Sequence, residues 1–333
     1  MVVLASAGLA LAACGPWSAT NPAGIGALTA TRSGAPKPGA PGAAASGDGG
    51  VARPVVIVAA GDIACDPGSP QFLAQAGTVH ACQQMATAHL IESLKPDLVV
   101  PLGDDQYDQG TLAAFQQSYD PSWGRFKAIS RPAVGNHEYG TRAASGYFAY
   151  FGVAAGTTGQ GWYSYDIGEW HVVVLNSNCN QVGCGHASPQ LAWLTADLAA
   201  HPGGCLLAYW HHPLWSHGEY RGDKHVLPFV KALYAAGVDI VLNGHDHNYQ
   251  RYTPRAPDGT TDPTHGVREF VVGTGGRSHY PAIKDPGADI VDATSFGVLQ
   301  LTLAHNAYQW TFQPAEAGTF HDTGQATCHR PQP

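Results

Sequence analysis

Seventeen histidines stand in a chain of 333 residues, as many as its lysines and arginines together. Several sit in short polar motifs beside aspartate, asparagine and tyrosine. These are Gly61-Asp62-Ile63-Ala64, Gly103-Asp104-Asp105-Gln106-Tyr107, Gly135-Asn136-His137-Glu138, Trp210-His211-His212-Pro213 and Gly244-His245-Asp246-His247. Oxygen and nitrogen donors of these kinds suit hard or borderline metals. Two carboxylates and three separated histidines exceed what one ion needs. A carboxylate shared by two ions lets them sit about 3.5–4 Å apart. Such a pair lowers the pKa of a bridging water and neutralises charge developing on a phosphoryl group.

The order GD, GDxxY, GNHE, HHP and GHxH resembles the calcineurin-like metallophosphoesterase superfamily, and within it the purple acid phosphatase branch. The resemblance runs from about residue 55 to residue 312. Most of the superfamily carries a histidine two residues after the first aspartate; here that place is Ala64, and Tyr107 of the second motif supplies the ligand special to the purple branch. Ala64 stands where the branch usually has glycine, and Ala208 where it usually has valine. The resemblance implies that Asp62, Tyr107 and His247 hold one metal, that Asp104 bridges, and that Asn136, His211 and His245 hold the second. It implies ferric iron at the Tyr107 site and zinc, manganese or ferrous iron at the other. His137 is then no ligand but a general acid or electrostatic stabiliser beside the phosphate, which Asn136 also contacts. His212 and His217 follow on the loop of His211 and are candidates for protonating the leaving oxygen. The implied reaction is hydrolysis of a small phosphate monoester, a metal-bound hydroxide attacking phosphorus in line. The same centre serves a phosphodiesterase on nucleotides or glycerophosphodiesters, and a surface lipoprotein that binds metal or phosphate without turnover is the alternative outside enzymes. Residues 273–278, Gly-Thr-Gly-Gly-Arg-Ser, offer backbone N–H groups and Arg277 to a phosphate, or simply a tight turn.

Each motif follows an apolar run that reads as a strand. Strands are predicted at 54–60, 98–102, 162–167, 170–175, 205–210, 238–242, 269–272, 296–303 and 308–312, and helices at 80–94, 188–200 and 224–236. This rhythm of strand, loop and helix indicates a layered α/β domain whose polar groups collect at the C-terminal ends of strands. The resemblance makes that a four-layer α/β/β/α sandwich of two mixed β-sheets flanked by helices.

Composition narrows the partners. Charged residues are 13 % of the chain and the net charge is −8, so a coiled coil and binding to nucleic acid by backbone neutralisation are both excluded. Residues 1–14 form an apolar stretch too short to span a membrane, ending Leu11-Ala12-Ala13-Cys14-Gly15 like a bacterial lipobox. Residues 15–51 are rich in Gly, Pro and Ala and read as a flexible tether, leaving 52–333 as one catalytic domain. The expectation is an exported protein: a lipoprotein touching the membrane through lipid on Cys14, at the cell surface or in the periplasm, or a secreted one. Apart from Cys14, six cysteines remain, an even number that suits an oxidising compartment. Locality favours Cys65–Cys82 and Cys179–Cys184, leaving Cys205–Cys328.

Overall fold

The small and β-branched residues of Val55–Ala60 can be buried on both faces, as a strand flanked by others requires. In the computed structural model, which describes residues 53–281, 288–316 and 320–329, this segment is strand β1 of a five-stranded sheet. The lipobox at Cys14 and the tether 15–51 lie outside the described residues. Along the chain follow β2 (Leu98–Pro101), β3 (Tyr163–Ile167), β4 (Trp170–Val174), β5 (Cys205–Tyr209), β6 (Ile240–Asn243), β7 (Tyr249–Arg251), β8 (Arg268–Val272), β9 (Ile290–Asp292), β10 (Gly297–Ala304), β11 (Ala307–Pro314) and β12 (Thr323–Thr327). The first sheet has the order β12-β11-β10-β1-β2, and a seven-stranded sheet has the order β3-β4-β5-β6-β8-β7-β9. Both are mixed. Strands β1 and β2 are parallel while β1 and β10 are antiparallel. In the second sheet β4, β5, β6 and β8 run parallel and β3 joins antiparallel.

Alternation along β4 sorts the core. Val172 and Val174 share one cluster with Leu207, Leu242 and Phe270 of their own sheet and with Leu299, Leu301 and Phe312 of the other. Val173 turns the opposite way, to Leu206, Ala208 and Val241 and to the helices that cover them. Those helices are α3 (Pro189–Ala200) and α4 (Leu227–Ala235); earlier come α1 (Gln84–Leu94), packed against β10 of the first sheet, and α2 (Ser145–Phe151). Helix α3 starts where Ser188 accepts the Leu191 N–H (3.2 Å) with Pro189 at the first position, and it buries Leu191, Leu194 and Leu198 on one stripe. The layers are therefore helix, sheet, sheet, helix, as expected. No helix among the described residues is long and apolar enough to cross a membrane.

Three differences from the sequence expectation have local causes. The helix expected from residue 80 begins only at Gln84, because Thr78 and Ala81 close a turn and Cys82 is left-handed (φ 63°). The helix expected at 224–236 is a 3-10 turn, Lys224–Val226, before α4. Strand β6 starts at Ile240 rather than 238, where Asp239 donates its N–H to the Leu206 carbonyl (2.9 Å) and its carboxylate, in place of a backbone carbonyl, accepts the Leu206 N–H (2.9 Å). The disulfides are Cys65–Cys82, Cys179–Cys184 and Cys205–Cys328, the pairs expected from locality. The last ties the residue after β12 to the start of β5.

Candidate metal centre

The parallel strands deliver their C-terminal ends to one edge, and the polar motifs gather there. Backbone crowding at this edge is severe. Gly103 is left-handed (φ 87°), and a Cβ on it would lie 2.8 Å from His211 Nδ1. Asp62, Asp104 and His245 also hold positive φ angles of 60°, 50° and 74°. Non-glycine residues pay about 1–2 kcal/mol for that conformation, and such strain collects at functional sites.

Each key carboxylate is anchored by one oxygen and aimed by the other. Asp62 Oδ2 accepts the His245 N–H (2.8 Å), and Asp104 Oδ1 accepts the His137 N–H (2.8 Å). The free oxygens meet the Tyr107 hydroxyl, which is 2.8 Å from Asp62 Oδ1, 3.1 Å from Asp104 Oδ2 and 3.0 Å from His247 Nε2. His247 Nε2 lies 3.2 Å from Asp62 Oδ1, and His211 Nε2 lies 3.2 Å from Asp104 Oδ2. Asp104 Oδ2 thus touches both an oxygen-rich group and a histidine group. Two donors at about 2.1 Å from one ion, at right angles, are roughly 3 Å apart. The observed spacings are those a cation would impose.

Further observations bear on the fit. The Asn136 Oδ1 and His211 Nε2 atoms are buried with no hydrogen-bond partner among the described residues, which suits atoms able to coordinate a cation. His211 Nδ1 faces the Leu102 carbonyl (2.9 Å) and His247 Nδ1 faces Ser278 Oγ (3.0 Å). With Nδ1–H donating there, each Nε2 keeps its lone pair for the centre. The donor atoms of Asp62, Asp104 and His211 lie within 4.8 Å of one another, and so do those of His211, His212 and His245.

The buried charges perturb one another strongly. Burial resists a charged His211, yet Asp104 and Asp62 lift it to about 9. Burial and then His211 push His212 down to about 4, and burial, His211 and His212 push His245 down to about 2. Burial, with Asp104 and Asp62, holds the Tyr107 phenol well above its usual range. A bound cation reverses that last preference.

The remaining sequence candidates divide. His137 sits at the rim, its Nδ1 on the Asp108 carbonyl (2.7 Å), its Nε2 3.8 Å from Asp104 Oδ2 and its ring 4.2 Å from Tyr107. Arg277 donates its backbone N–H to the Asp62 carbonyl (2.9 Å) and lays its guanidinium over the Tyr107 ring (5.1 Å). His212 joins the cluster with its ring 4.4 Å from His245, while its Nδ1 bonds Ser177 Oγ (2.8 Å). His217 does not join. Its N–H donates to Gln250 Oε1 (2.8 Å), its ring lies 5.7 Å from Tyr252, and it lines a different cavity.

Sequence reasoning assigned no task to Glu138. Its buried carboxyl accepts N–H groups from Gly135 (2.7 Å), Asp104 (3.1 Å) and Gln106 (3.1 Å), tying the second and third motifs together. Burial and then Asp104 raise it to about 7. Its place directly after Asn136-His137 was the available signal. Ser278 was visible only as part of a glycine-rich turn, and Tyr280, stacked on His247 at 3.8 Å, carried no signal. A cavity of about 340 Å³ opens beside Asn136 and His212, walled by Ser177, Asn178, Asn180 and Asp223.

Comparison with known proteins agrees with this geometry. Residues 55–249 match the family model described as calcineurin-like phosphoesterase. Purple acid phosphatase 15 of Arabidopsis thaliana is 30 % identical over 240 residues, covering 60 % of this chain and 44 % of that one. Tartrate-resistant acid phosphatase type 5 of Mus musculus is 25 % identical over 227 residues, 58 % of this chain and 67 % of that one. The chain spans less than half the length of the Arabidopsis relatives it matches. Among solved structures, purple acid phosphatase PPD1 from yellow lupin superposes with a TM-score of 0.64 at 19 % identity, covering 82 % of this chain and 54 % of that one. That likeness concerns the fold. The family match spans strands β1 to β6 and all five motifs described above, and the chain belongs to the calcineurin-like phosphoesterase family, with its similarity on the purple acid phosphatase side.

Proposed function

We propose that this protein hydrolyses phosphate monoesters at a dinuclear metal centre. The observation that carries the reading is the single oxygen, Asp104 Oδ2, placed 3.1 Å from Tyr107 Oη and 3.2 Å from His211 Nε2. In this reading Asp62, Tyr107 and His247 hold one ion, Asn136, His211 and His245 hold the other, and Asp104 is shared. A phenolate beside carboxylates favours ferric iron on the first side, and the imidazoles favour zinc, manganese or ferrous iron on the second. When bound, the ions supply an activated water and neutralise phosphoryl charge.

The chain's own residues do the rest. Arg277 adds positive charge at the edge of the centre, where the phosphoryl oxygens would lie. His137, held at Nδ1 by the Asp108 carbonyl, presents Nε2 toward the centre and gives the leaving oxygen its proton. His212, oriented by Ser177, stands on the other side and positions the phosphate. His217 is given no part in proton transfer. The alcohol portion occupies the 340 Å³ cavity, whose amides and hydroxyls suit a polar group. We further read the protein as exported, which the three disulfides support, and as lipid-anchored at Cys14.

The test is metal analysis of purified protein together with a visible spectrum and assays on a monoester and a diester. The expected result is two metal ions per chain, one of them iron with broad absorption in the green, and faster turnover of the monoester. Full activity in metal-stripped protein overturns the mechanism, and diester preference overturns the substrate class.

A further inference from the structure

The segment after His212 doubles back, its ends joined where the Asp223 N–H donates to the Pro213 carbonyl (2.7 Å). One side of this loop faces the metal centre, with the Tyr220 ring 4.4 Å from His245. Its other side, with Arg255, encloses a second cavity of about 360 Å³. Leu214, Trp215, His217, Arg221, Lys224 and Arg255 line it, and among the described residues no carboxylate does. Three permanent cations meeting in one cavity is unexpected in a chain of net charge −8 with only 17 lysines and arginines.

Among the described residues no carboxylate forms an ion pair with Arg221, Lys224 or Arg255. Arg255 Nε is buried with no hydrogen-bond partner, its guanidinium 4.8 Å from the Tyr252 ring. The nearby acid is Glu269, whose Oε1 accepts the Trp215 N–H (3.1 Å). Burial raises that carboxyl to about 8 although the Trp215 N–H and the Arg255 charge both pull it down, so near pH 7 it is largely protonated and offers Arg255 little negative charge. A buried, unpaired guanidinium N–H is costly, and an anion entering the cavity removes that cost. Arginine forks match the tetrahedral oxygens of phosphate in a bidentate way, and lysine adds a point charge. At about 30 Å³ per water the cavity equals roughly twelve waters, room for a phosphate and part of what carries it.

We propose that this cavity binds a phosphate dianion, free or as the terminal group of a larger molecule, at a site separate from the metal centre. The proposal does not depend on the hydrolase reading.

The experiment titrates metal-loaded full-length protein with inorganic phosphate, and separately with phenylphosphonate, following heat and tryptophan fluorescence. The variants are Arg221→Gln/Lys224→Gln, both exposed positions that the fold does not need, and Trp215→Phe. Wild type is expected to bind two phosphates per chain, with a fluorescence change that Trp215→Phe abolishes. The double variant is expected to bind one, its affinity at the second site falling at least tenfold. If the metal centre binds no phosphate, wild type binds one and the double variant none, so failure of the hydrolase reading is distinguishable from failure of this one. Tighter binding of phenylphosphonate than of phosphate at this site identifies a phosphoryl group on a larger molecule, and weaker binding identifies free phosphate. Unchanged stoichiometry and affinity in the double variant overturn the proposal.

Discussion

In the proposed reading Asp104 is shared by two groups: Asp62, Tyr107 and His247, delivered by the turns after β1, β2 and β6, and Asn136, His211 and His245, with His212 beside them. The first group is dominated by oxygen, and its donors touch one another at 2.8–3.2 Å. The second is dominated by imidazole, and burial with mutual repulsion keeps His212 and His245 from taking protons near neutrality. Both sit on the same sheet edges and share one carboxylate, so the difference is one of donor chemistry. Anionic oxygens reward a hard, highly charged ion, whereas neutral nitrogens reward a borderline divalent one. On that reading one edge of the fold offers two unlike sites rather than two copies of one.

The largest expected effect comes from removing what the sides share. Asp104→Asn is expected to lose both ions and to lower kcat on the order of 10³-fold, read by metal analysis and monoester assay. Retention of both ions by that variant contradicts a shared ligand. Breaking the sides separately sharpens the contrast. Tyr107→Phe is expected to lose the visible band while keeping the divalent ion, and His245→Ala to lose the divalent ion while keeping the band. Each should cost on the order of 10²-fold in kcat. If both variants lose the same ion, the sides are not distinct.

A smaller effect is expected from support behind a ligand. Ser278→Ala removes the partner of His247 Nδ1 and is expected to weaken metal retention about tenfold on the Tyr107 side alone, measured by chelator competition. The smallest effect lies away from both sides. Glu269 has its folded pKa raised to about 8 from 4.5, so the folded chain holds a proton that the unfolded chain has released. Stability therefore falls as pH rises from 4.5 to 8 and levels off above that. Glu269→Gln is expected to match wild type near pH 4.5 and to exceed it by about 1–3 kcal/mol at pH 8, measured by urea unfolding, with metal content unchanged.

Four donor motifs were legible because each follows a run such as Val55–Ala60 or Cys205–Tyr209 that forms a buried strand, whereas Gly135–Glu138 follows only an isolated bridge between Ala133 and Leu102. The disulfides were legible because short separations leave Cys205 and Cys328 for each other. Strands β7 and β9 were missed because three residues hold no periodicity, and Tyr249–Arg251 is a strand only through its neighbours on both sides. Strand β12 was missed because Thr323–Thr327 carries no apolar side chain larger than alanine. Glu138 and Ser278 were overlooked as supports because their partners lie on other loops. His217 was grouped with His212 by proximity in sequence, but the closed loop from Pro213 to Asp223 carries it to the cationic cavity.

The central claim is that one carboxylate joins two unlike metal sites. The direct measurement is a crystal structure of metal-loaded protein with anomalous scattering recorded at the iron and zinc edges. Two peaks about 3.5–4 Å apart are expected, with Asp104 between them and the iron signal on the Tyr107 side. A single peak, or two peaks with Asp104 touching only one, contradicts the claim.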